Sequence, residues 1–350
     1  MRKKKIAVLH VQVPFVRGGA ELLTENLTRQ LRKRGFDAEL VSIPFKWYPN
    51  NALLDSYLMW RMVDLTESNG EKIDLLIALK NPTYLARHPN KVLWLMHQHR
   101  VAYDLRDNRM AGGFNTIPGG LEIEKMIRHM DNLAIPEAKE IYSISKTVTA
   151  RLQRFNHIPS TPLYHPPALE GQYHSGDFGD YILSVGRLDP NKRIDLLIQA
   201  LCHCDKKIRA KIAGKGNELE NLKQLAHRLG VEDRVDFLGF VPDDDLPDLY
   251  ANALAVCFPP IDEDYGYITL EAFLSQKPIL TCRDSGGVLE FAVHEENALI
   301  VDCDAEKMGE CFNRVFQDKA WTREMGRLGY ERVKDISWDH VIDELTKTIR

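Results

Sequence analysis

Tyr181-Ile182-Leu183-Ser184-Val185-Gly186-Arg187-Leu188-Asp189-Pro190-Asn191-Lys192-Arg193 starts as a short apolar strand, turns on a glycine and crosses a polar loop. It then enters a helix predicted over 193–201. Strand, loop and helix in this order is the unit from which parallel sheets are built. The rhythm continues downstream, with strands predicted over 208–213, 235–238, 253–258 and 278–281 and helices over 218–229 and about 269–275. Just upstream it is absent. Between His157 and Asp180 stand Pro159, Pro162, Pro166, Pro167, Gly171, Gly176 and Gly179, without helical or strand period, which reads as a linker. Further upstream the rhythm reappears: a strand over 5–9, a loop ending Gly18-Gly19, a helix over 20–34 closed by Gly35, a strand over 38–43, and short β-like runs over 74–78 and 92–96. The expected fold class is therefore α/β, two Rossmann-like doubly wound domains facing a central cleft. The expected boundaries are 1–165 for the first domain, 166–179 for the linker and 180–336 for the second.

Charge changes sign at the same place. Residues 1–167 hold 24 Lys and Arg against 16 Asp and Glu, a balance of +8; the remaining 22 bases and 34 acids give −12, and the whole chain is −4. Its 350 residues suit two domains with separate cores, and 44% hydrophobic with 27% charged residues is globular composition. No apolar run approaches the roughly 20 residues of a membrane span. Met1-Arg2-Lys3-Lys4-Lys5 followed by Ile6-Ala7-Val8-Leu9 begins like a secretory signal, but the apolar run stops at His10 and no small-residue cleavage site follows. Cysteines 202, 204, 257, 282, 303 and 311 lack paired metal spacing, and a reducing cytoplasm is the expected compartment.

Ligands of open parallel sheets bind at the carboxyl ends of strands, and four segments fall there. Gly18-Gly19-Ala20-Glu21 opens a helix, so its amides suit a diphosphate; a plain turn is the alternative, and the G-x-G-x-x-G spacing of a dinucleotide site is absent. Arg187 and Lys192 place two cations across a Pro-containing turn, suited to holding a phosphate as charge develops on a leaving group; two solvated surface bases are the alternative. Glu263-Asp264-Tyr265-Gly266-Tyr267-Ile268-Thr269-Leu270-Glu271 puts one carboxylate in a loop and another in a helix, both able to face the cleft and accept from sugar hydroxyls. Asp262, Glu263 and Asp264 also spell a D-x-D, a metal-binding pattern elsewhere, and an acidic surface loop remains the bland alternative. Met96-His97-Gln98-His99-Arg100 supplies two histidines at a strand end.

Together these segments resemble glycosyltransferase family 4, the retaining GT-B glycosyltransferases (glycosyl transferases group 1). Four features match in order over nearly the whole chain: Gly-Gly-Ala-Glu at 18–21, the strand-end His, Gly-Arg-x-x-x-x-Lys at 186–192 and Glu-x7-Glu at 263–271. The stretch 235–242 with Leu246 to Tyr250 resembles the base-binding segment, and Ser337-Trp338 with the helix after it resembles the tail that packs back onto the first domain. The resemblance implies that Arg187, Lys192 and Gly186 meet the donor diphosphate, with amides at Gly18 and Gly19 approaching it. Glu271 would accept from the ribose, backbone near Phe240 and Val241 would read the base, Glu263 and the amides of Tyr265, Gly266 and Tyr267 would hold the transferred sugar, and His97 would contact that sugar from the acceptor side. The family's His-Asp pair reads His97-Gln98 here, and His99 is a rival for the role.

The resemblance also implies metal-independent, retaining transfer by front-face substitution from a UDP-, GDP- or TDP-sugar, with no resident cofactor or metal. The acceptor is expected to be a glycan or lipid-linked hydroxyl, in O-antigen, cell-surface polysaccharide or glycolipid biosynthesis. A nucleotide-sugar epimerase or hydrolase of the same fold, or a non-catalytic nucleotide-sugar-binding partner in a glycan assembly complex, are the competing readings. The +8 half is expected to carry the acceptor; Arg2 to Lys5, Arg32 to Arg34 and Lys46-Trp47-Tyr48, with Tyr57 and Trp60, form a candidate contact with an anionic membrane, with solvated helix faces and core aromatics as the alternative. The expected location is cytoplasmic, peripheral at the inner face of the plasma membrane, with no nucleic-acid partner.

Overall fold

In the computed structural model, which describes residues 2–15, 18–46, 48, 50–106, 113–114 and 118–350, the chain divides into two compact units. One is Met1–Ala168 with Ser337–Arg350, and the other is Leu169–Ile336. The division after Ala168 lies inside the span 166–179 expected to be linker.

Unit 1 begins with β1 (Lys5–Gln12), six of whose residues in a row are buried, as in a strand covered on both faces. The helix α1 (Gly19–Lys33) opens on a capping box, the Glu21 carboxylate accepting from the Gly18 N–H at 2.9 Å. There follow β2 (Asp37–Pro44), α2 (Asn50–Met62), a two-residue ribbon of β3 (Glu67–Ser68) and β4 (Glu71–Lys72), β5 (Leu75–Ala78), β6 (Lys91–Leu95), α3 (Gly120–Ala134), β7 (Glu140–Ser143), α4 (Lys146–Asn156) and β8 (Thr161–Pro162). The main sheet is parallel in the order β2-β1-β5-β6-β7-β8. Strand order reverses between β1 and β5, so the crevice at their carboxyl ends is a topological switch point.

Unit 2 repeats the plan with β9 (Tyr181–Val185), α5 (Ile194–Ala200), β10 (Arg209–Ala213), α6 (Leu219–Arg228), β11 (Val235–Gly239), α7 (Leu246–Ala251), β12 (Ala255–Cys257), α8 (Tyr267–Leu274), β13 (Ile279–Cys282), β14 (Ala298–Val301), α9 (Ala305–Gln317) and α10 (Lys319–Val333). Its sheet is parallel in the order β11-β10-β9-β12-β13-β14, and the order reverses between β9 and β12. The chain then returns to unit 1 as α11 (Trp338–Thr346), capped by the Ser337 hydroxyl. Trp338 is buried there, stacked on His165 at 6.0 Å and edge-on to Trp94 at 6.3 Å, and the Tyr142 hydroxyl donates to Glu344 at 2.8 Å.

Two expectations change. Tyr57 and Trp60 are core residues, 2% and 1% exposed, not surface aromatics. With Leu53 they share one face of α2 at helical spacing, while Leu58, Met59 and Met62 occupy the exposed face. Several of the bases proposed to meet a membrane are committed to ion pairs: Arg2 and Lys4 to Asp74, Lys5 to Asp37 and Glu71, and Arg34 to Asp339. Trp47 lies outside the described residues. The helix expected over 269–275 starts two residues earlier, because Gly266 takes up a left-handed conformation (φ +83°) at its N-cap.

Candidate functional site

At the switch point of unit 2 the loop after β9 meets the loop after β12. The Ile261 N–H donates to the Asn191 carbonyl at 2.9 Å, which lashes the turn Pro190–Lys192 to the β12 loop. This brings Lys192 and Glu263 together: the ammonium is 2.5 Å from a carboxylate oxygen, with the side chains only 15% and 24% exposed. The Phe258 ring lies 5.6 Å from the same ammonium. Glu263 is fixed from below, its carbonyl accepting from the Gly287 N–H at 2.7 Å. Gly286 makes this possible: at φ +62°, a Cβ there would lie 2.5 Å from the Glu263 carbonyl oxygen. Arg187 is not part of this arrangement; it pairs with Asp189 at 3.2 Å and its side chain is 64% exposed.

Glu271, in the second turn of α8, sits in a different neighbourhood. The Tyr250 hydroxyl donates to its carboxylate at 2.5 Å and Tyr173 bonds to it as well, the two phenol rings meeting edge-on at 5.9 Å. Burial pushes the Glu271 pKa up, and the two tyrosine hydrogen bonds pull against that rise. Tyr250 lies in the segment likened to the base-binding region, yet neither its grip on Glu271 nor that of Tyr173 is signalled by sequence spacing. Tyr265, buried, packs edge-on against Tyr267 and Phe291 just before the N-terminus of α8. Gly186 approaches the same helix: a Cβ on it would stand 3.4 Å from Ile268.

The loops after β10 and β11 close the remaining side. Gly214 lies so near the β9 loop that a Cβ on it would be 1.8 Å from the Gly186 carbonyl oxygen, and its N–H donates to the Gly239 carbonyl at 2.7 Å. Lys215 follows, its ammonium 5.9 Å from the ring of Phe240, which is 67% exposed beside Val241. Lys215 is a further strand-end cation that the motifs did not single out.

In unit 1 the Gly18-Gly19 turn stands at the β1/β5 switch point. Beneath it Glu21 lies 3.8 Å from His10 and 3.7 Å from Lys80, neither of which the sequence reading proposed. Burial, then Lys80, lowers the His10 pKa to about 4, so its imidazole is neutral at pH 7, and burial also lowers Lys80. His97 follows β6, half-buried, with Nδ1 2.7 Å from the Gln98 carbonyl. Gln98 is fully buried and bonds to Asn156, so the position where the resemblance expects an aspartate is filled by a neutral amide turned into the core. His99 lies against Phe114, ring centroids 5.6 Å apart, and burial lowers its pKa to about 4.

Residues 173–332, which contain every unit 2 loop described above, match the family model for glycosyl transferases group 1. An uncharacterized glycosyltransferase of Methanocaldococcus jannaschii is 33% identical over 47% of this chain and 43% of its own length. O-antigen chain mannosyltransferase B of Escherichia coli is 29% identical over 57% of this chain and 53% of its own length. The chain thus spans about half the length of the curated relatives it matches. Among solved structures, Anabaena HepE in complex with UDP and glucose superposes with a TM-score of 0.71 at 18% identity, over 99% of each chain. That likeness and the two parallel sheets show the GT-B fold, as the motifs led us to expect. With its switch-point loops inside the matched region, the second unit of this chain is similar to the glycosyl transferases group 1 family.

Proposed function

We propose that this protein transfers a sugar from a nucleotide-diphosphate donor to a hydroxyl of a glycan or lipid-linked acceptor, with retention of configuration, in cell-surface polysaccharide or glycolipid assembly. The observation that carries the proposal is the Lys192–Glu263 pair at the β9/β12 switch point, inside the group 1 region. A shielded cation there is suited to the charge that grows on a departing diphosphate, and its carboxylate partner to the hydroxyls of the sugar being moved. The E. coli relative is named for O-antigen mannosyl transfer, and the Anabaena structure holds UDP and glucose, which supports this substrate class.

In the proposed step the bond from the anomeric carbon to the diphosphate oxygen breaks, and the acceptor oxygen bonds to the same face of that carbon. The acceptor proton passes to the departing phosphate. Lys192 stabilises the leaving group, while Glu271, held by Tyr250 and Tyr173, takes the ribose hydroxyls. No metal takes part in this scheme. Acceptor recognition belongs to unit 1, and we place the protein in the cytoplasm, in peripheral contact with anionic membrane. Exposed Leu58, Met59 and Met62 on α2, with Leu121, Met126 and Leu133 on α3, now support that contact in place of the buried aromatics.

Thermal-shift screening across UDP, GDP, TDP and their sugars tests the donor site, because a ligand of the folded state raises Tm by mass action. A rise with one nucleotide family is expected, and no rise with any of them would overturn the reading. Product stereochemistry by NMR then tests retention, full activity in EDTA tests metal independence, and co-sedimentation with anionic vesicles at low salt tests the membrane contact.

A further inference from the structure

Cys282 closes β13, and Cys303 follows β14, the neighbouring parallel strand. The register sets Cys282 opposite Val301, two residues before Cys303. Beyond the strands the two segments stay together: the Arg283 N–H donates to the Val301 carbonyl at 3.0 Å, and its guanidinium reaches Asp302 at 3.2 Å. Residues two apart along an extended chain project to the same face, which sets the two sulfurs near enough to act on one another electrostatically. They differ in access, Cys282 being buried and Cys303 exposed, and neither is in a disulfide. Arg193 acts electrostatically on both sulfurs and is held beside them by Asp284, with hydrogen bonds of 2.7 and 2.5 Å.

An exposed thiol near a buried one, beside a fixed cation, is the arrangement in which an oxidant meets the outer sulfur and the inner sulfur resolves it. We propose that Cys282 and Cys303 form a reversible dithiol–disulfide site, with a hydroperoxide as the oxidant. In the first step the Cys303 thiolate attacks the peroxide; the S–O bond forms, the O–O bond breaks and the departing oxygen leaves as water or alcohol. The Cys282 sulfur then bonds to the Cys303 sulfur, the S–O bond breaks, and the hydroxyl leaves with the Cys282 proton as water. The two thiols together lose two electrons and two protons, and the peroxide takes them up. A small dithiol reverses the change by exchange.

Burial, with Cys303 adjacent, pushes the Cys282 pKa up, and Cys303, the exposed one of the two, is the sulfur that meets the oxidant. The bridge ties the end of β13 to the segment after β14. The loop it restrains carries Asp284, partner of Arg193, and Gly286 and Gly287, which hold the Glu263 backbone. Oxidation state is thereby coupled to the loop that positions Glu263.

The test uses the full chain and measures mass, so it does not depend on glycosyl transfer. After brief treatment with dilute hydrogen peroxide, we expect an intact mass lower by two hydrogens and one cross-linked peptide joining Cys282 to Cys303, restored by dithiothreitol. Cys303→Ser, at an exposed position, removes the cross-link without unfolding the protein. Cys282→Ser leaves Cys303 without its resolving partner, and the treated variant gains oxygen instead. A cross-link elsewhere, such as Cys202 to Cys204, or oxygen gain on wild-type Cys303 with Cys282 still a free thiol, overturns the proposal.

Discussion

Lys192 owes its position to its own N–H bond to Asp189 and to the backbone bond from Ile261 to Asn191, and its environment to the Glu263 carboxylate and the Phe258 ring. Replacing it with alanine removes charge stabilisation from a site where that is worth most, so kcat should fall by a factor on the order of 100 to 1,000. Circular dichroism should be unchanged, and near-normal turnover would remove Lys192 from the reaction. Glu271 leads to a different prediction. Tyr250→Phe deletes a donor that favours the ionised carboxylate, so the already raised Glu271 pKa should climb further. Nucleotide affinity should weaken roughly fivefold to tenfold at pH 7 and partly recover at pH 8.5, as read by titration calorimetry; a pH-independent loss would mean packing alone. The candidate carboxylates and lysine were legible because their spacing is local, within one loop and one helix start. The tyrosine clamp was not, since Tyr173, Tyr250 and Glu271 meet only after α7 and α8 pack.

At the scale of elements, the site depends on loops that touch through backbone rather than side chains. Gly214, at φ +150° with a Cβ position 1.8 Å from the Gly186 carbonyl oxygen, cannot become alanine without parting the β9 and β10 loops. We expect Gly214→Ala to cost about 3 kcal/mol or more. Gly230, at φ +65° with nothing within 4 Å of its Cβ position, should cost only about 1 kcal/mol for the same change. Urea unfolding of the two variants makes the comparison, and equal midpoints would refute it. Strands β1, β2, β5, β6 and β9 to β13 read clearly as short apolar runs, whereas β7, β8 and β14 are not among the runs the sequence singles out. The face of α2 did not: the sequence leaves Tyr57 and Trp60 open between a membrane contact and the core, and their burial beside Leu53 at helical spacing decides for the core.

For the whole molecule, the charge split survives folding. The returning segment 337–350 adds three acids and two bases to unit 1, leaving it at +7 and unit 2 at −11. Inside unit 1, however, one acid is buried without a cation among its partners. Tyr103 donates to Asp131 at 2.8 Å and Tyr57 at 3.4 Å, and burial pushes the Asp131 pKa to about 7. The folded state therefore holds a proton that the unfolded chain releases near pH 4. This carboxyl opposes folding increasingly as pH rises from about 4 to 7, by an amount on the order of 4 kcal/mol. Asp131→Asn should flatten that loss, seen as a smaller fall in Tm between pH 5 and 8; an unchanged pH profile would show that Asp131 is ionised throughout.

The return of α11 bears on how the protein comes into being. Unit 2 is one continuous stretch, whereas unit 1 needs Trp338 to pack against the Trp94–His165 pair. During synthesis the earlier segment must wait, its helix seat vacant, until all of unit 2 has emerged. Unit 2 is then the first able to reach its final form, although it is made second, and a chaperone acting on nascent chains should find its longest-lived target in residues 1–168.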